Sequence, residues 1–530
     1  MRIMSFKPDH DGTIAALDVS AAKLIYSYEA EKDSFPRYST INPTTILEAA
    51  GRLDAIPDII AVGGWESTGF GHDAVGYYGI AQGSDVVGER TIFGRKVHFY
   101  SSTHERSHLW GSYGMSPFPA GMPCYVLIWE GWCGDFYEID EYLQVVHRGK
   151  VMAYPGHKYT FLYALADPKF TLPKGPARIE DAGKLMALCA YGQTGSPDRD
   201  EQALIDFLLP SDMYPLPKEE LRNSPYYNIG VTHQKFTNLA RRVSDAIFDL
   251  FHAFAKKNLT KGYPLLISGG CGLNCEWNRR WLETNLFSDV FIPPCANDAG
   301  SAIGTAVDAM RHFTGNAKIK WSVYSGQPFT LDEIDRTGLE VYPLDYDQVA
   351  SALLSDKIIG WVQGNCEIGP RALGNRSILA APFSKATHER LNRIKNREGF
   401  RPIAPVCLEE DVALHFDLAR PSPHMLLFQK VLDSRLKAVT HVDGTARAQT
   451  VSRKQNAQLF QLLTSFKAKS GVGVLCNTSL NFNGTGFINR ASDLLTYARA
   501  AGLDGFVIND AFYLLKEGSV TALNGQKETA

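Results

Sequence analysis

At 530 residues the chain exceeds what one hydrophobic core usually supports, and with 45% apolar residues it can fill more than one, so two or more globular domains are expected. A formal net charge of -3 and a pI near 6.5 exclude a protein-wide attraction to nucleic acid or to an anionic membrane; any anion binding must be local. The opening MRIMSFKPDHDG has no signal-peptide apolar region, no apolar run reaches the roughly 18 residues of a spanning helix, and the nine cysteines form no C-x-x-C pair, which together predict a reduced cytoplasmic protein without a membrane segment.

In chain order, apolar runs at 2–6 and 13–18 flank Asp9-His10-Asp11-Gly12 and predict a hairpin with acids, a histidine and a glycine at its turn. The device recurs at Tyr125-Val126-Leu127-Ile128-Trp129, which meets Glu130-Gly131 and returns through Phe136 to Ile139. Two strand, acid-Gly, strand units suggest a duplicated α/β domain. Further strands are expected at 59–64 and 97–102, a helix at 183–192, and an amphipathic helix at 234–257. Residues 193–231 are rich in Pro, Ser, Asp and Tyr and read as a surface insertion that shapes substrate access. Leu265-Leu266-Ile267 is a strand running into Ser268-Gly269-Gly270-Cys271-Gly272-Leu273-Asn274, a glycine-rich turn whose N–H groups suit a phosphate or carboxylate. After a strand at 290–294, Asn297-Asp298-Ala299-Gly300 opens a helix of small residues. Polar sequence with turn residues over 315–347 places a boundary near 322, dividing the chain into 1–322 and 323–530. The second part is also α/β, with a strand at 358–362, helices near 386–396 and 453–468, and strands at 473–476 and 505–508.

Two groups of residues carry chemistry. His104 and His108 are four apart, so on a helix both imidazoles face one cation. His104-Glu105-Arg106-Ser107-His108 also matches the zinc-protease pattern H-E-x-x-H, with Glu105 as base; the absence of an H-x-x-G-x-x-H continuation weighs against that alternative. Asp298 is the carboxylate chosen to complete a metal site, although an Asp before a helix also serves as an ordinary N-cap. The other group is a local charge reversal: between 371 and 401 stand Arg371, Arg376, Lys385, Arg390, Arg393, Lys395, Arg397 and Arg401 against Glu389 and Glu398. Charge runs are usually solvated helix faces. Here Gly399 and Pro402 end the helix and turn side chains into a loop, and 440–447 and Asn477-Thr478-Ser479 add hydroxyls, an amide and Arg447. Together with the glycine–arginine loop Glu367 to Ser377 they predict a pocket for a small phosphorylated ligand. No interleaved aromatics suit it to nucleic acid.

Gly-Pro-Arg-Ala-Leu-Gly-Asn-Arg-Ser-Ile at 369–378, Lys-x-Arg-Glu-x-Phe-Arg-Pro-x-Ala-Pro at 395–405, Thr-His-Val-Asp-Gly-Thr-Ala-Arg at 440–447 and Cys-Asn-Thr-Ser at 476–479 resemble the O-carbamoyltransferases of antibiotic and nodulation-factor biosynthesis. Shorter motifs in the first part follow in the family's order: His10-Asp11-Gly12, His104-x3-His108, Gly269-Gly270-x-x-Leu273-Asn274 and Asp298-Ala299-Gly300. The resemblance implies a duplicated actin-like (ASKHA) α/β domain followed by an α/β carbamoyl-adenylate-forming domain. It implies activation of carbamoyl phosphate with ATP and Mg2+, then transfer to a hydroxyl of a small-molecule natural product. By motif, Lys395, Arg401, Arg447, Asn477 and Ser479 would hold carbamoyl phosphate or the activated carbamoyl group, and Arg371 and Arg376 the nucleotide phosphates. Gly269, Gly270 and Asn274 would line a nucleotide cleft; His104, His108 and Asp298 would bind a metal, Fe2+ by resemblance, with Zn2+ or Mn2+ as alternatives. His10, beside Asp11, would be the general base, and a homodimer is a family-level expectation. Departures are Glu130 in place of the family's Asp, Ser268-Gly-Gly-Cys-Gly in the glycine turn, and Glu105 where a further histidine is common. Besides the protease, a non-catalytic nucleotide-binding protein is the remaining alternative.

Overall fold

Strands β1 (Arg2–Lys7), β2 (Thr13–Asp18) and β3 (Lys23–Glu29) and helix α1 (Pro43–Ala50) open the computed structural model, which describes residues 1–64, 75–81, 83–170, 177–418 and 420–516. By internal contacts the chain divides into two units. One is Asp58–Lys320 with Met1 and Ile3; the other is Trp321–Ala530 with Arg2 and Met4–Pro57. Both are mixed α/β, and no described helix is long and apolar enough to cross a membrane.

The unit of 58–320 contains β4 (Ile59–Gly63), β5 (Asp85–Ile92), β6 (Arg95–Ser102), α2 (His104–Met115), β7 (Cys124–Trp129), β8 (Cys133–Ile139) and β9 (Val145–Ala153). Then follow α3 (Pro155–Ala166), α4 (Asp181–Cys189), α5 (Arg199–Leu208), α6 (Gln234–Asn258), β10 (Leu265–Ser268), α7 (Cys275–Glu283), β11 (Val290–Phe291) and α8 (Ser301–Thr314). β7, CYVLIW, is buried along its whole length, the pattern of a strand covered on both faces; it pairs parallel with β10 and antiparallel with β8 in a sheet ordered β11-β10-β7-β8-β9. α6 repeats apolar residues at helical spacing (Phe236, Leu239, Val243, Ile247, Phe251) and buries that face together with α7. Trp129 stacks on Trp277 at 4.5 Å and lies 4.6 Å from Phe251, while Phe136 stacks on Phe254 at 5.6 Å. The meander β7-β8-β9 has a counterpart of like succession in β1-β2-β3, each passing an acidic residue and a glycine at its first turn.

Helix α2 is buried at every position although its sequence, HERSHLWGSYGM, is polar. Its partner α8 explains this. Arg106 makes a two-pronged pair with Asp308 at 2.7 and 2.9 Å, Ser107 Oγ meets Thr305 Oγ1 at 2.8 Å, and a Cβ at Gly304 would stand 1.8 Å from the Ser107 carbonyl, so the backbones touch. The insertion 193–231 differs from expectation by containing α5. Asp198 and Glu201 form a reciprocal capping box at its start, and Leu204, Ile205 and Leu208 are its buried face.

The other unit continues with β12 (Leu339–Pro343), α9 (Tyr346–Leu354), β13 (Ile359–Val362), β14 (Arg376–Ala380), α10 (Lys385–Ile394), β15 (Ala404–Leu408), α11 (Val412–His415), β16 (Gln429–Lys430), β17 (Thr445–Ala446) and β18 (Gln449–Val451). It closes with α12 (Ala457–Ser470), β19 (Val474–Ser479), α13 (Ala491–Ala501), β20 (Gly505–Ile508) and β21 (Ala511–Leu515). Eight strands form a mixed sheet, β12-β21-β20-β13-β14-β19-β15-β18. Successive residues point to opposite faces. Ile358, Val362 and Ile378 therefore pack with Leu391, Leu494 and Ala498, whereas Ile359, Trp361 and Leu379 pack with Leu353, Leu459 and Phe466. Residues 4–57, which the sequence reading grouped with 58–322, are held here by backbone: Ser27 N–H donates to the Ser325 carbonyl at 2.8 Å, Arg37 N–H to that of Gly484 at 3.0 Å, and Pro36 bridges Thr485.

Candidate active site

The unit of 58–320 gathers proton and metal acceptors. α2 brings His104 and His108 onto one face, with Nε2 atoms 3.0 Å apart. Asp298 Oδ1 lies 3.4 Å from His104 Nε2 and 3.3 Å from His108 Nε2, and Glu130 Oε1 lies 3.5 Å from His108 Nε2. All four residues are buried, and one ligand atom from each falls within 4.8 Å of the others. Ligands at about 2.1 Å from one ion stand about 3.0 Å apart across an octahedral edge and about 3.4 Å across a tetrahedral one, the range observed here. Two buried carboxylates among two imidazoles are costly without a cation, so the donor set fits a divalent first-row ion such as Fe2+, Zn2+ or Mn2+. Asn297 takes the N-cap position of the one-turn helix 298–300, which releases Asp298 from the capping role.

In the sequence Glu130 stands only as a substitute for Asp in an acid-Gly turn. The turn after β7 carries it to the histidines, where Gly270 N–H donates to its Oε1 at 2.6 Å. Gly269 must be glycine for this: its φ is 103°, and a Cβ there would lie 2.3 Å from the Trp129 carbonyl oxygen and 2.8 Å from Glu130 Oε1. His108 Nδ1 meets Ser268 Oγ at 3.0 Å, an outer contact that orients the ring and leaves Nε2 to face the cluster. Tyr77 lies 4.7 Å from the His104 ring, and burial followed by the nearby charges of Cys133, Glu130 and Asp298 pushes its phenol well above the ordinary range. Glu105 has a different task. Tyr137 OH donates to one of its oxygens and Gly79 N–H to the other at 2.6 Å, so it is a buried, doubly bonded carboxylate. Asn274 Oδ1 accepts from the N–H groups of Glu276 and Trp277, capping α7.

The other unit gathers cations and donors. Lys395, at the end of α10, donates to the Ser479 carbonyl at 2.6 Å, the Asn481 carbonyl at 2.9 Å and Asn481 Oδ1 at 2.6 Å. Burial, and then the charges of Arg397, Arg401 and Arg37, push its ammonium well below the ordinary lysine range. Arg397 is pushed down likewise by burial, Arg401 and Arg447. Ser479 Oγ donates to Asn481 Oδ1 at 2.6 Å. Asn477 donates to the Ala372 carbonyl at 3.2 Å and to Gln449 Oε1 at 2.9 Å, while its Oδ1 and Arg447 Nε are buried without a partner among the described residues. Lys395, Arg401 and Arg447 thus share one field, and Arg37 and Arg397 join them. Arg37 comes from the 4–57 segment, and no local pattern in the sequence pointed to it.

The loop from Glu367 to Ser377 is built around Glu367, whose Oε1 accepts from the N–H groups of Leu373 (2.7 Å), Asn375 (2.7 Å) and Arg376 (3.2 Å). Gly369, at φ 85°, is held from both sides: its N–H donates to Glu29 Oε1 at 2.6 Å and its carbonyl accepts from Lys32 Nζ at 2.9 Å. Glu29 and Lys32 are themselves a buried pair at 3.2 Å; burial alone would lower the Lys32 ammonium, but Glu29, with Cys366 and Glu31 beside it, leaves it raised. Arg371 is half-buried in this loop. Arg376 departs from the phosphate-binding expectation. It is fully buried and spends five N–H···O contacts on the Gln363, Gly364 and Asn375 carbonyls and on Asn489 Oδ1, twice, leaving no donor for a phosphate. In the turn before β2, His10 Nδ1 lies 3.0 Å from Asp11 Oδ2, and the His10 carbonyl accepts from Lys7 Nζ.

Family models match most of the chain: "Carbamoyltransferase N-terminus" at residues 78–307 and "Carbamoyltransferase C-terminus" at 350–515. A 3'-hydroxymethylcephem-O-carbamoyltransferase of Amycolatopsis lactamdurans is 47% identical over 524 residues, covering 98% of this chain and 100% of the relative; that of Streptomyces clavuligerus is also 47% identical, with the same coverage. Nodulation protein U of Bradyrhizobium diazoefficiens is 32% identical, covering 94% and 95%. Among solved structures, an archaeal actin homolog aligns over 59% of this chain and 100% of its own at 11% identity and a TM-score of 0.30. A glucokinase from Balamuthia mandrillaris aligns over 57% and 92% at 10% and 0.26. These scores carry no structural argument. The two family models and the full-length relatives do: this chain belongs to the carbamoyltransferase family.

Proposed function

We propose that the protein is an ATP-dependent O-carbamoyltransferase that activates carbamoyl phosphate as carbamoyl-adenylate and passes the carbamoyl group to a hydroxyl of a small-molecule natural product. The relatives named for a 3'-hydroxymethylcephem make such a cephem the first acceptor to test. In this reading 321–530 together with 4–57 perform activation, His10 serves as the base of transfer, and 58–320 hold the metal centre. The observation that supports it is the buried cation cluster about Lys395, which Arg397, Arg401 and Arg37 join, with the Ser479 carbonyl 2.6 Å from the Lys395 ammonium. Such a cluster gains most from an anion, since each guanidinium repels Lys395 until a phosphate or carbamate oxygen comes between them.

The chemistry sets an order. Carbamoyl phosphate must first give up its phosphoryl group to water, leaving carbamate; a carbamate oxygen then attacks the α-phosphorus of ATP and pyrophosphate departs. Arg401 and Arg447 would hold the anions in line, Lys395, bonded to Ser479 and Asn481, would add its charge to their field, Asn477 and Ser479 would orient the carbamoyl group, and Arg371 would support the nucleotide phosphates. For transfer, an alcohol is a poor nucleophile until its proton moves to a base. His10 suits that step, because Asp11 at 3.0 Å from Nδ1 orients the ring and stabilises the imidazolium formed when Nε2 takes the proton. His104, His108, Asp298 and Glu130 would hold the metal, which supplies Lewis-acid stabilisation of developing negative charge.

Incubation with carbamoyl phosphate, ATP and Mg2+ should release pyrophosphate and form an AMP-containing carbamoyl product. Its absence with metal-loaded protein overturns the reading. His10→Ala should retain adenylate formation and lose transfer; equal loss of both removes the base role from His10.

A further inference from the structure

Next to the candidate metal centre, in the same unit, stands a group of rings that no step above uses. Trp132 follows Glu130 and Gly131 in the turn between β7 and β8, and its ring lies 4.6 Å from Tyr214, 5.4 Å from His157 and 5.7 Å from Tyr154. Tyr154 and Tyr214 stack at 5.3 Å with 23° between their planes, and His157 is 4.5 Å from Tyr214. All four residues are partly exposed, unlike the closed aromatic core under α6. At its inner end the group reaches the metal cluster through Tyr77, 6.4 Å from Trp132 and 4.7 Å from His104.

The rings are fixed to the centre by backbone. The start of α3 donates to the carbonyls of the very turn that bears Glu130: Tyr154 N–H to Trp132 at 3.0 Å, Gly156 N–H to Glu130 at 3.2 Å and His157 N–H to Gly131 at 3.4 Å. The approach depends on two missing side chains. A Cβ at Gly156 would lie 2.9 Å from Gly131 Cα, and one at Gly131 would lie 3.2 Å from His157 Nε2. Tyr154 accepts a φ of 55° at this junction, a strained conformation for a non-glycine residue that fixed surroundings maintain. Wall and ligand turn therefore form one rigid piece, which is what placing a bound ring relative to a reacting hydroxyl requires.

We propose that Trp132, Tyr154, His157 and Tyr214, continued inward by Tyr77, form the wall against which the ring system of the acceptor packs, and that Trp132 and Tyr214 select acceptors that present the apolar face of a rigid fused ring such as a cephem. This rests on the carbamoyl-transfer reading. The wall holds the ring so that its hydroxymethyl arm extends along Tyr77 toward His104, and a flexible polar chain without such a face gains little from it.

The test uses the full-length protein with 3-hydroxymethylcephem as probe. Titrated without carbamoyl phosphate, the cephem should bind and quench tryptophan emission. Trp132→Leu should raise its Kd and KM by roughly five- to ten-fold, while Trp132→Phe stays near the parent value. The KM for carbamoyl phosphate and the rate of adenylate formation should stay unchanged in both. Tyr214→Leu, in a partly exposed loop, gives a second measurement should Trp132→Leu not fold. No binding of the cephem to the parent protein, or parent-like Kd and KM in the leucine variants, overturns the proposal. Failure of the parent protein to form any carbamoyl-adenylate sinks the carbamoyl-transfer reading instead, and the direct titration still reports on the wall.

Discussion

The two candidate sites are built from opposite materials. The centre around α2 collects two imidazoles and two carboxylates, all buried. The cluster around Lys395 collects an ammonium and several guanidinium groups. Each is expensive on its own and is relieved by a ligand of the opposite sign. The difference teaches that the chain keeps opposite charges apart: cations are concentrated about Lys395, and imidazoles and carboxylates converge about α2.

The comparison breaks most readily at Lys395. Lys395→Ala should lower pyrophosphate release by about a thousand-fold while metal content, read by elemental analysis, stays at the parent value. A metal loss of equal severity would show that the two sites are not separable. Next in size is Lys32→Met, which strands the buried Glu29 carboxylate and removes the donor to the Gly369 carbonyl. It should cost about 3–5 kcal/mol in a denaturant titration. A loss below about 1 kcal/mol would mean that the pair does not seat the loop.

At the metal centre, Ser268→Ala removes the contact to His108 Nδ1 and should weaken metal affinity by about 10- to 100-fold without altering adenylate formation. The cationic pocket should also be proton-linked. The Lys395 ammonium is depressed below the ordinary 10.5, so in the window below that value the unfolded chain binds the proton more tightly and stability rises with pH. Phosphate affinity runs the other way, falling by up to about ten-fold per pH unit as Lys395 discharges in that window, and calorimetric titrations of phosphate at several pH values measure the slope. A flat profile in the parent that matches Lys395→Met removes this linkage. The smallest effect is expected for Asn274→Ala. As the cap of α7 through Oδ1 it should cost about 1 kcal/mol of stability; a larger change in ATP affinity than in stability would place it in a nucleotide cleft as well.

Much of this arrangement is written locally, and the rest is not. The four-residue spacing of His104 and His108 carries its own geometry once a helix forms, and the glycines of 369–377 mark a loop wherever they occur. Glu130 could not be assigned by spacing, because a turn between strands meets a helix only through packing. The capping box of α5, Asp198 to Glu201, is local, but the surrounding Pro and Ser mask it. Arg376 shows the opposite error: in a cation-rich run every arginine looks like a ligand, yet this one is consumed by carbonyls and Asn489. α2 conceals its burial because Asp308, about 200 positions along the chain, neutralises its arginine.

The grip of Glu29 and Lys32 on Gly369 bears on how the gene can be cut. A fragment starting at Trp321 would carry every cation of the Lys395 cluster but Arg37 and yet lack both groups that seat the Gly369 loop. That unit transplanted into another protein would need residues 4–57 supplied with it, by fusion or circular permutation, although they lie on the far side of some 260 residues that form the other compact unit.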